Sequence, residues 1–352
     1  MISAECLVNV RCLGHRVTGV QRYVLSLLPY LKDRLTTVQP GRDSQGIRGH
    51  LWEQFTLPFK ARGRLLWSPA NTGPLTVARQ VVTVHDASTL DHPEWFEGKF
   101  ARWYRFMLPR LMETARKIIT VSEFARRRLI EAAGLAESHV VAIHNGVEDR
   151  VYPAAPLLSD FLKRHGLNKP YILCVASLEP RKNLRRLFAA WEQCQPDGIE
   201  LVVAGAAGHV FLNQGFDQSA RGTRLLGHVN EADLPCLYSG AFGFIFPSLY
   251  EGFGLPPLEA MAYGCPVLTS NASSLPEVCG AEFLPEQPGD TGAVFYFDPT
   301  DPEMIAASIT RLLGLSSAQR QAMAANGVRQ ARQFSWKRTA ELTWQVLAAA
   351  AA

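Results

Sequence analysis

Two patterns of apolar residues alternate along this chain. Short, mostly apolar runs at 6–10, 65–67, 81–84, 118–121 and 140–144, and again at 171–176, 201–205, 225–229, 242–246 and 294–297, read as strands buried on both faces. Between them, at 19–31, 94–117, 158–165, 184–194, 233–239, 302–313 and from 334 to the end, apolar positions return every three or four residues, as on a helix with one buried face. Residues 39–50, with Pro40, Gly41, Gly46 and Gly49, keep neither period and predict a surface loop, and 208–223 predicts a loop and helix. Strands alternating with helices in this way describe an α/β chain.

The stretch 242–270, FGFIFPSLYEGFGLPPLEAMAYGCPVLTS, is the most densely written: strand, glycine loop, helix and second strand follow without a spare residue. Gly252 and Gly254 let the backbone bend sharply and approach a ligand. Pro256 and Pro257 suit a first helical turn, and Gly264 stands where that helix would stop. The N–H groups of 254–258 are then expected to be free at a helix N-terminus, which is an anion site. Glu251 precedes the glycines and Glu259 follows eight positions later, so both are expected to point into one crevice and meet hydroxyls, as of a ribose or a sugar. An ordinary strand–turn–helix, with Glu251 solvated and Glu259 only favouring the helix dipole, fits the glycines and prolines equally well.

Composition narrows the class. The 352 residues suffice for two domains, and 47% hydrophobic with 19% charged residues is a globular composition that excludes disorder. The net charge of +4 is unevenly placed: residues 1–165 hold 23 Lys/Arg against 15 Asp/Glu, or +8, and residues 166–352 hold 13 against 17, or −4. The first half is therefore the candidate for an anionic partner. Cys6, Cys12, Cys174, Cys194, Cys236, Cys265 and Cys279 are scattered without a Cys-x-x-Cys pair and read as reduced core residues of a cytoplasmic protein. The opening MISAECLVNVRCL lacks a basic leader, and no window reaches the roughly 18 apolar residues of a membrane span.

Candidate chemistry lies at strand ends. His85-Asp86 follows the run 81–84, and a histidine there in a doubly wound sheet is on the ligand side, the alternative being a histidine that satisfies a nearby carbonyl. The stretch 94–117 mixes Trp95, Phe96, Phe100, Trp103, Tyr104 and Phe106 with Lys99, Arg102, Arg105 and Arg110. That mixture suits either an interfacial helix resting on acidic lipid or a core helix with a solvated basic face. Ser122 is placed to cap a helix carrying Arg126, Arg127 and Arg128. Arg181 and Lys182 follow the run 171–176, where cations are unusual for structure and useful for phosphate. Basic residues are spread over several helices with no recognisable module, which argues against a nucleic-acid partner.

E-G-F-G-L-P-P-L-E followed by A-M-A-x-G-x-P-V resembles the Glu-x7-Glu signature of family 4 retaining glycosyltransferases. The resemblance implies a GT-B fold: two Rossmann-like, doubly wound domains facing across a cleft that binds a nucleotide sugar, with a C-terminal helix crossing back to the first domain. The domains would be 1–155 on the acceptor side and 156–335 for the nucleotide sugar, with 336–352 returning, the junction lying near Asn145-Gly146-Val147. By resemblance Glu251 contacts the transferred sugar, Glu259 the ribose, and backbone groups of Phe253, Gly254 and Leu255 the sugar and diphosphate. Gly19 would touch phosphate or acceptor, His85 would lie at the reacting sugar, and the backbone near Val229 would meet the base. Many relatives carry a further Arg near Ser177, absent here, so the division of cationic roles between Arg181 and Lys182 stays open. No Asp-x-Asp occurs, so the usual carboxylate handle for Mg²⁺ or Mn²⁺ is missing and no metal or other cofactor is expected. Arg181, Lys182 and the helix end would then neutralise the leaving diphosphate.

The expected reaction is retaining, metal-independent transfer of a sugar to a glycan or lipid-linked saccharide in bacterial polysaccharide synthesis. A likeness of VASLEPRKNL and HDAS to bacterial polysaccharide mannosyltransferases favours GDP-mannose as donor, with UDP and dTDP sugars open. The protein is expected in the cytoplasm, with peripheral contact on the inner face of an acidic membrane. A sugar-nucleotide epimerase and a catalytically silent binding subunit are the alternatives.

Overall fold

In a computed structural model that describes residues 6–14, 17–41, 46–148, 153–205, 221–287 and 289–352, the short apolar runs are parallel strands of two separate sheets. The chain divides into two compact units, Met1–Glu94, Gly98–Gly146 and Phe334–Ala352 forming one, and Trp95–Glu97 with Val147–Gln333 the other.

The first unit holds β1 (Cys6–Asn9), β2 (Leu35–Val38), β3 (Leu65–Ser68), β4 (Gln80–Thr83), β5 (Lys117–Thr120) and β6 (Val140–Ala142), in the order β2-β1-β3-β4-β5-β6. Every residue of β1, β3 and β4 is buried, as continuous apolar runs in a covered parallel sheet should be. β2, sequence LTTV, is a half-exposed edge strand whose threonines hide it from a search for apolar runs. The loop expected over 39–50 is corrected. Residues 42–45 lie outside the described residues, but Gly46–Leu51 is helical and continues through a π turn, Trp52–Thr56, into Leu57–Lys60.

The helix Gly98–Thr114 buries Ala101, and packs Met107, Leu108, Leu111 and Met112 into one core with Val82, Val84 and Ile118. It is thus a core helix with a basic outer side, and of the aromatics in 94–106 only Phe106 is exposed. Ser122 does cap Glu123–Ala133, its Oγ accepting from the Ala125 amide at 3.0 Å. The C-terminal helix Trp336–Ala351 belongs to this first unit. Thr339 Oγ1 donates to the His144 carbonyl at 2.7 Å, and a Cβ on Gly146 would stand 2.1 Å from the Trp336 amide, so only glycine lets the helix dock there.

The second unit holds β7 (Tyr171–Val175), β8 (Glu200–Ala204), β9 (Thr223–Gly227), β10 (Gly243–Phe246), β11 (Val267–Ser270) and β12 (Val294–Phe297). Their order, β12-β11-β10-β7-β8-β9, is the doubly wound dinucleotide-binding order, reversing between β7 and β10. Residues 206–220, where most of the expected loop and helix at 208–223 falls, lie outside the described residues. All seven cysteines are free thiols, six buried, in keeping with the reading of them as core residues. Among the described residues no helix is long and apolar enough to cross a membrane.

Candidate functional site

Strands on either side of a reversal in strand order send their following loops to opposite faces of the sheet, leaving a crevice at their C-terminal ends. In the second unit those strands are β7 and β10, and their loops carry Arg181, Lys182 and Glu251. After β7 the chain makes a 3₁₀ turn, Pro180–Lys182, closed by Asn183 in the left-handed region at φ +60°. Asn183 Nδ2 donates to the carbonyls of Pro247 (3.0 Å) and Pro299 (2.6 Å), and the Leu249 amide donates to the Arg181 carbonyl at 2.8 Å. The two loops are thereby tied together.

Their charges form one buried network. Lys182 Nζ lies 2.5 Å from Glu251 Oε1, and Arg181 Nη1 lies 3.3 Å from Glu251 Oε2. Glu179, which the sequence reading passed over, completes the set: its Oε1 is 3.1 Å from Arg181 Nη2 and 3.9 Å from Lys182 Nζ, and it accepts from Ser177 Oγ at 2.6 Å. Glu179, Lys182 and Glu251 are all buried. Burial alone would raise the Glu251 pKa, but Lys182 and then Arg181 overcome it and hold the carboxyl below its usual value. Two carboxylates and two cations thus neutralise one another, and the cations are not the bare phosphate clamp their sequence position implies. A solvated Glu251 is excluded as well.

The loop after Glu251 is held from β11's side. Ser273, at φ +58°, accepts from the Glu251 amide at 3.0 Å, and Ser274 Oγ reaches the carbonyls of Glu251 and Phe253, each at 2.9 Å. Gly254 then turns at φ +102° into the helix Leu255–Ala262, and a Cβ there would meet Leu275 Cδ2 at 2.7 Å. The free N–H row expected over 254–258 is corrected: Pro256 and Pro257 have no N–H, and the Leu258 amide faces the Gly254 carbonyl at 3.5 Å. The helix end therefore offers the amides of Gly254 and Leu255. Glu259 lies beyond the first turn, buried, and accepts from the Tyr238 hydroxyl at 3.1 Å, which removes the dipole-only account of it. Phe253 and Leu255 are buried beside the loop, and Val229 is buried just after β9.

In the first unit His85 follows β4 as expected. Its Nε2 is 2.9 Å from the Pro69 carbonyl, so that nitrogen carries the proton and Nδ1 is the acceptor. Its amide donates to Asn71 Oδ1 at 2.7 Å, Asn71 itself standing at φ +61°. Burial lowers the His85 pKa, against the Pro69 carbonyl and Asp86, and keeps the ring neutral. The ring therefore satisfies a nearby carbonyl, as the second sequence alternative has it, from a position just after the strand end. Gly19 opens the helix Gly19–Leu31 on the surface, with nothing within 4 Å of a Cβ placed there, so packing does not require glycine. A second buried charge escaped the sequence reading: Glu53 accepts from Asn9 (2.7 Å), Thr72 (3.0 Å) and Arg11 (3.3 Å). Burial raises its pKa and these partners oppose the rise. Asn9 ends β1, Arg11 follows it and Thr72 follows β3, the strands at which this sheet's order reverses. Among the described residues no group of three or more His, Cys, Asp or Glu could hold a metal ion.

Comparison with known proteins agrees with this layout. The family described as Glycosyl transferases group 1 matches residues 160–330, and Glycosyltransferase Family 4 matches residues 64–151. The chain is 34% identical over 273 residues to O-antigen chain mannosyltransferase B of Escherichia coli, covering 75% of this chain and 68% of that one. It is 29% identical over 285 residues to the serotype-specific mannosyltransferase WbdA of the same species, covering 75% of this chain and 32% of that one. Among solved structures, Alr3699/HepE of Anabaena in complex with UDP-glucose superposes with a TM-score of 0.77 at 18% identity, over 98% of this chain and 99% of that one. WaaG, a glycosyltransferase involved in lipopolysaccharide biosynthesis, gives 0.72 at 14% identity over 97% and 99%. At these identities the two structures speak to the fold alone.

Proposed function

The chain belongs to glycosyltransferase family 4 and has its GT-B fold, and from that premise we propose that it transfers mannose from GDP-mannose to a hydroxyl of a glycan or lipid-linked saccharide in polysaccharide synthesis. The mannosyltransferase relative at 34% identity supports the sugar. The observation that carries the site is the Glu179–Arg181–Lys182–Glu251 network at the β7/β10 reversal, beside the helix end at Gly254.

The donor diphosphate seats against Arg181, Lys182 and the amides of Gly254 and Leu255. Because two carboxylates already balance the cations, an incoming diphosphate competes with Glu251 and Glu179 for them, and Glu251 is left to turn toward the sugar. Glu259 holds the ribose hydroxyls. The C1–O bond to the diphosphate breaks, its electron pair staying on the phosphate oxygen, while the acceptor oxygen bonds to C1 on the same face and its proton passes to that phosphate oxygen. No carboxylate nucleophile is assigned, which supports retention by this same-face route. Charge stabilisation of the leaving group is typically the largest catalytic term, and here side chains and backbone supply it without a metal. His85, neutral and offering Nδ1, and Gly19 belong to the first unit, the proposed acceptor side. Its excess of basic residues, with Lys99, Arg102 and Arg105 exposed, supports a peripheral location on the inner face of an acidic membrane.

The test is turnover with GDP-mannose, UDP-glucose and dTDP-glucose in excess chelator, with the product anomer assigned by NMR. GDP-mannose is expected to give an α-linked product without added metal. A free epimer, binding without turnover, or activity restored only by Mg²⁺ or Mn²⁺ would each overturn this reading.

A further inference from the structure

The helical run from Gly46 to Lys60 is inverted relative to an ordinary surface helix. Gly49, Glu53, Leu57 and Ala61, every fourth residue, are buried. Ile47, Leu51, Phe55 and Phe59, also every fourth residue and two positions out of step, are exposed by 79%, 50%, 67% and 77%. Two residues of helix is about 200° of rotation, so the two rows lie on opposite faces. The inward row contains a carboxylate, held by Asn9, Arg11 and Thr72, and the outward row contains four large apolar side chains. Each four-residue step on an α-helix overshoots a full turn by about 40°. The π turn at Trp52–Thr56, wider than an α turn, takes part of that overshoot back and keeps the outward row straighter than a regular helix would.

A row of this kind facing water costs solubility unless something covers it. The charges around it indicate what. Between residues 46 and 64 the acidic residue Glu53 is buried, while Arg48, Lys60 and Arg62 are exposed. The neighbouring helix continues the surface: Trp103 packs edge-on to His50 at 5.8 Å and lies 6.0 Å from Phe106, which is itself 47% exposed and covered by Arg110 at 4.0 Å. Large apolar side chains with basic residues at the rim and, between residues 46 and 64, no exposed acid match a bilayer bearing anionic headgroups, with the side chains entering the acyl boundary and the cations meeting phosphate.

We propose that Ile47, Leu51, Phe55 and Phe59 form a membrane-inserting face that docks the first unit on an anionic bilayer. The proposal extends the charge-based contact suggested above for Gly98–Thr114 by adding an apolar anchor on a different element, and it is independent of the glycosyl-transfer reading. Charge attraction alone disappears at high salt, whereas inserted phenyl rings leave a salt-resistant fraction.

The experiment is flotation of the full chain with vesicles of phosphatidylglycerol and phosphatidylethanolamine, or of phosphatidylcholine, at low and high salt. Wild type is expected to float with the anionic vesicles and to keep part of that binding at high salt. Phe55→Ser/Phe59→Ser, and independently Ile47→Ser/Leu51→Ser, are expected to bind roughly tenfold or more weakly and to lose the salt-resistant fraction. Because these side chains are exposed, circular dichroism and nucleotide affinity should match wild type. Arg102→Gln/Arg105→Gln is expected to weaken low-salt binding while sparing the salt-resistant fraction. Unchanged vesicle binding in both serine pairs, or complete release of wild type by salt, overturns the anchor while leaving the transferase reading intact. A concentration-dependent dimer that the serine pairs dissolve, with vesicle binding unaltered, assigns the face to a second copy and overturns it too.

Discussion

Replacing Lys182 by methionine perturbs the candidate site at its most strongly coupled point. Lys182 Nζ is 2.5 Å from one oxygen of Glu251, Arg181 Nη1 is 3.3 Å from the other, and Lys182 and Glu251 are each more than nine-tenths buried. Removing one partner of such a pair strands the other charge and costs about 3–5 kcal/mol. Arg181 remains beside Glu251, so the lower end, about 3 kcal/mol, is expected, or a fall of about 6–12 °C in Tm for a unit of this size. The pH dependence has a definite sign. Burial pushes the Glu251 pKa up, but Lys182 and Arg181 bring it below the ordinary value. Its contribution in the wild type is therefore present above the unfolded-state pKa, about 4.3, and is lost as pH falls through the lower folded-state value. Without Lys182 the burial effect gains, the folded-state pKa rises, and the variant instead loses stability as pH rises through it. The gap between wild type and Lys182→Met should narrow as pH is lowered from about 8 toward about 5. Adding Glu251→Gln removes the stranded charge and should restore roughly 1–2 kcal/mol of the loss. Scanning calorimetry of the wild type and the two variants across that range measures all of this. A Tm change below about 2 °C, or a constant deficit with no recovery in the double variant, would refute the buried-pair reasoning.

The two carboxylates of the loop should separate kinetically. Glu251→Gln is expected to lower kcat roughly 10²-fold while nucleotide diphosphate affinity holds or tightens, because both cations lose one of their two carboxylate partners and keep only Glu179. Glu259→Gln should instead weaken that affinity by about 1–3 kcal/mol; calorimetry beside steady-state rates decides, and a fully active Glu251→Gln would remove its assigned role. His85, kept neutral in the fold by burial, acquires a proton only with difficulty, whereas the unfolded chain takes one up below about pH 6.5. Stability should therefore fall as pH drops below that value, and His85→Gln should flatten the slope; equal urea midpoint shifts in both proteins would count against it. Gly146→Ala places a methyl 2.1 Å from the Trp336 amide and should cost at least about 1–3 kcal/mol by displacing the C-terminal helix, read as a lower urea midpoint.

Much of the architecture can be read residue by residue because its causes are local. Continuous apolar runs such as GFIF and YILCV have to be covered on both faces, Ser122 has to satisfy the first amides of its helix, and Gly254 alone tolerates φ +102° against Leu275. The resemblance in the Glu251–Glu259 segment likewise rests on residues that are neighbours in sequence. The charge state of the site is different in kind. Glu179, Arg181 and Lys182 are some seventy positions from Glu251, and only the order of β7 and β10 in the sheet brings them within hydrogen-bonding distance. Electrostatic energy depends on separation in space and on burial, neither of which is encoded in spacing along the chain. The same holds for Gly46–Lys60. No period is legible over its first residues, and in the fold Glu53 finds Asn9, Arg11 and Thr72 inside the unit, so the opposite face, with its large apolar side chains, is the one left outside. A helix has two faces, and which one turns inward is decided by the partners that the rest of the fold supplies.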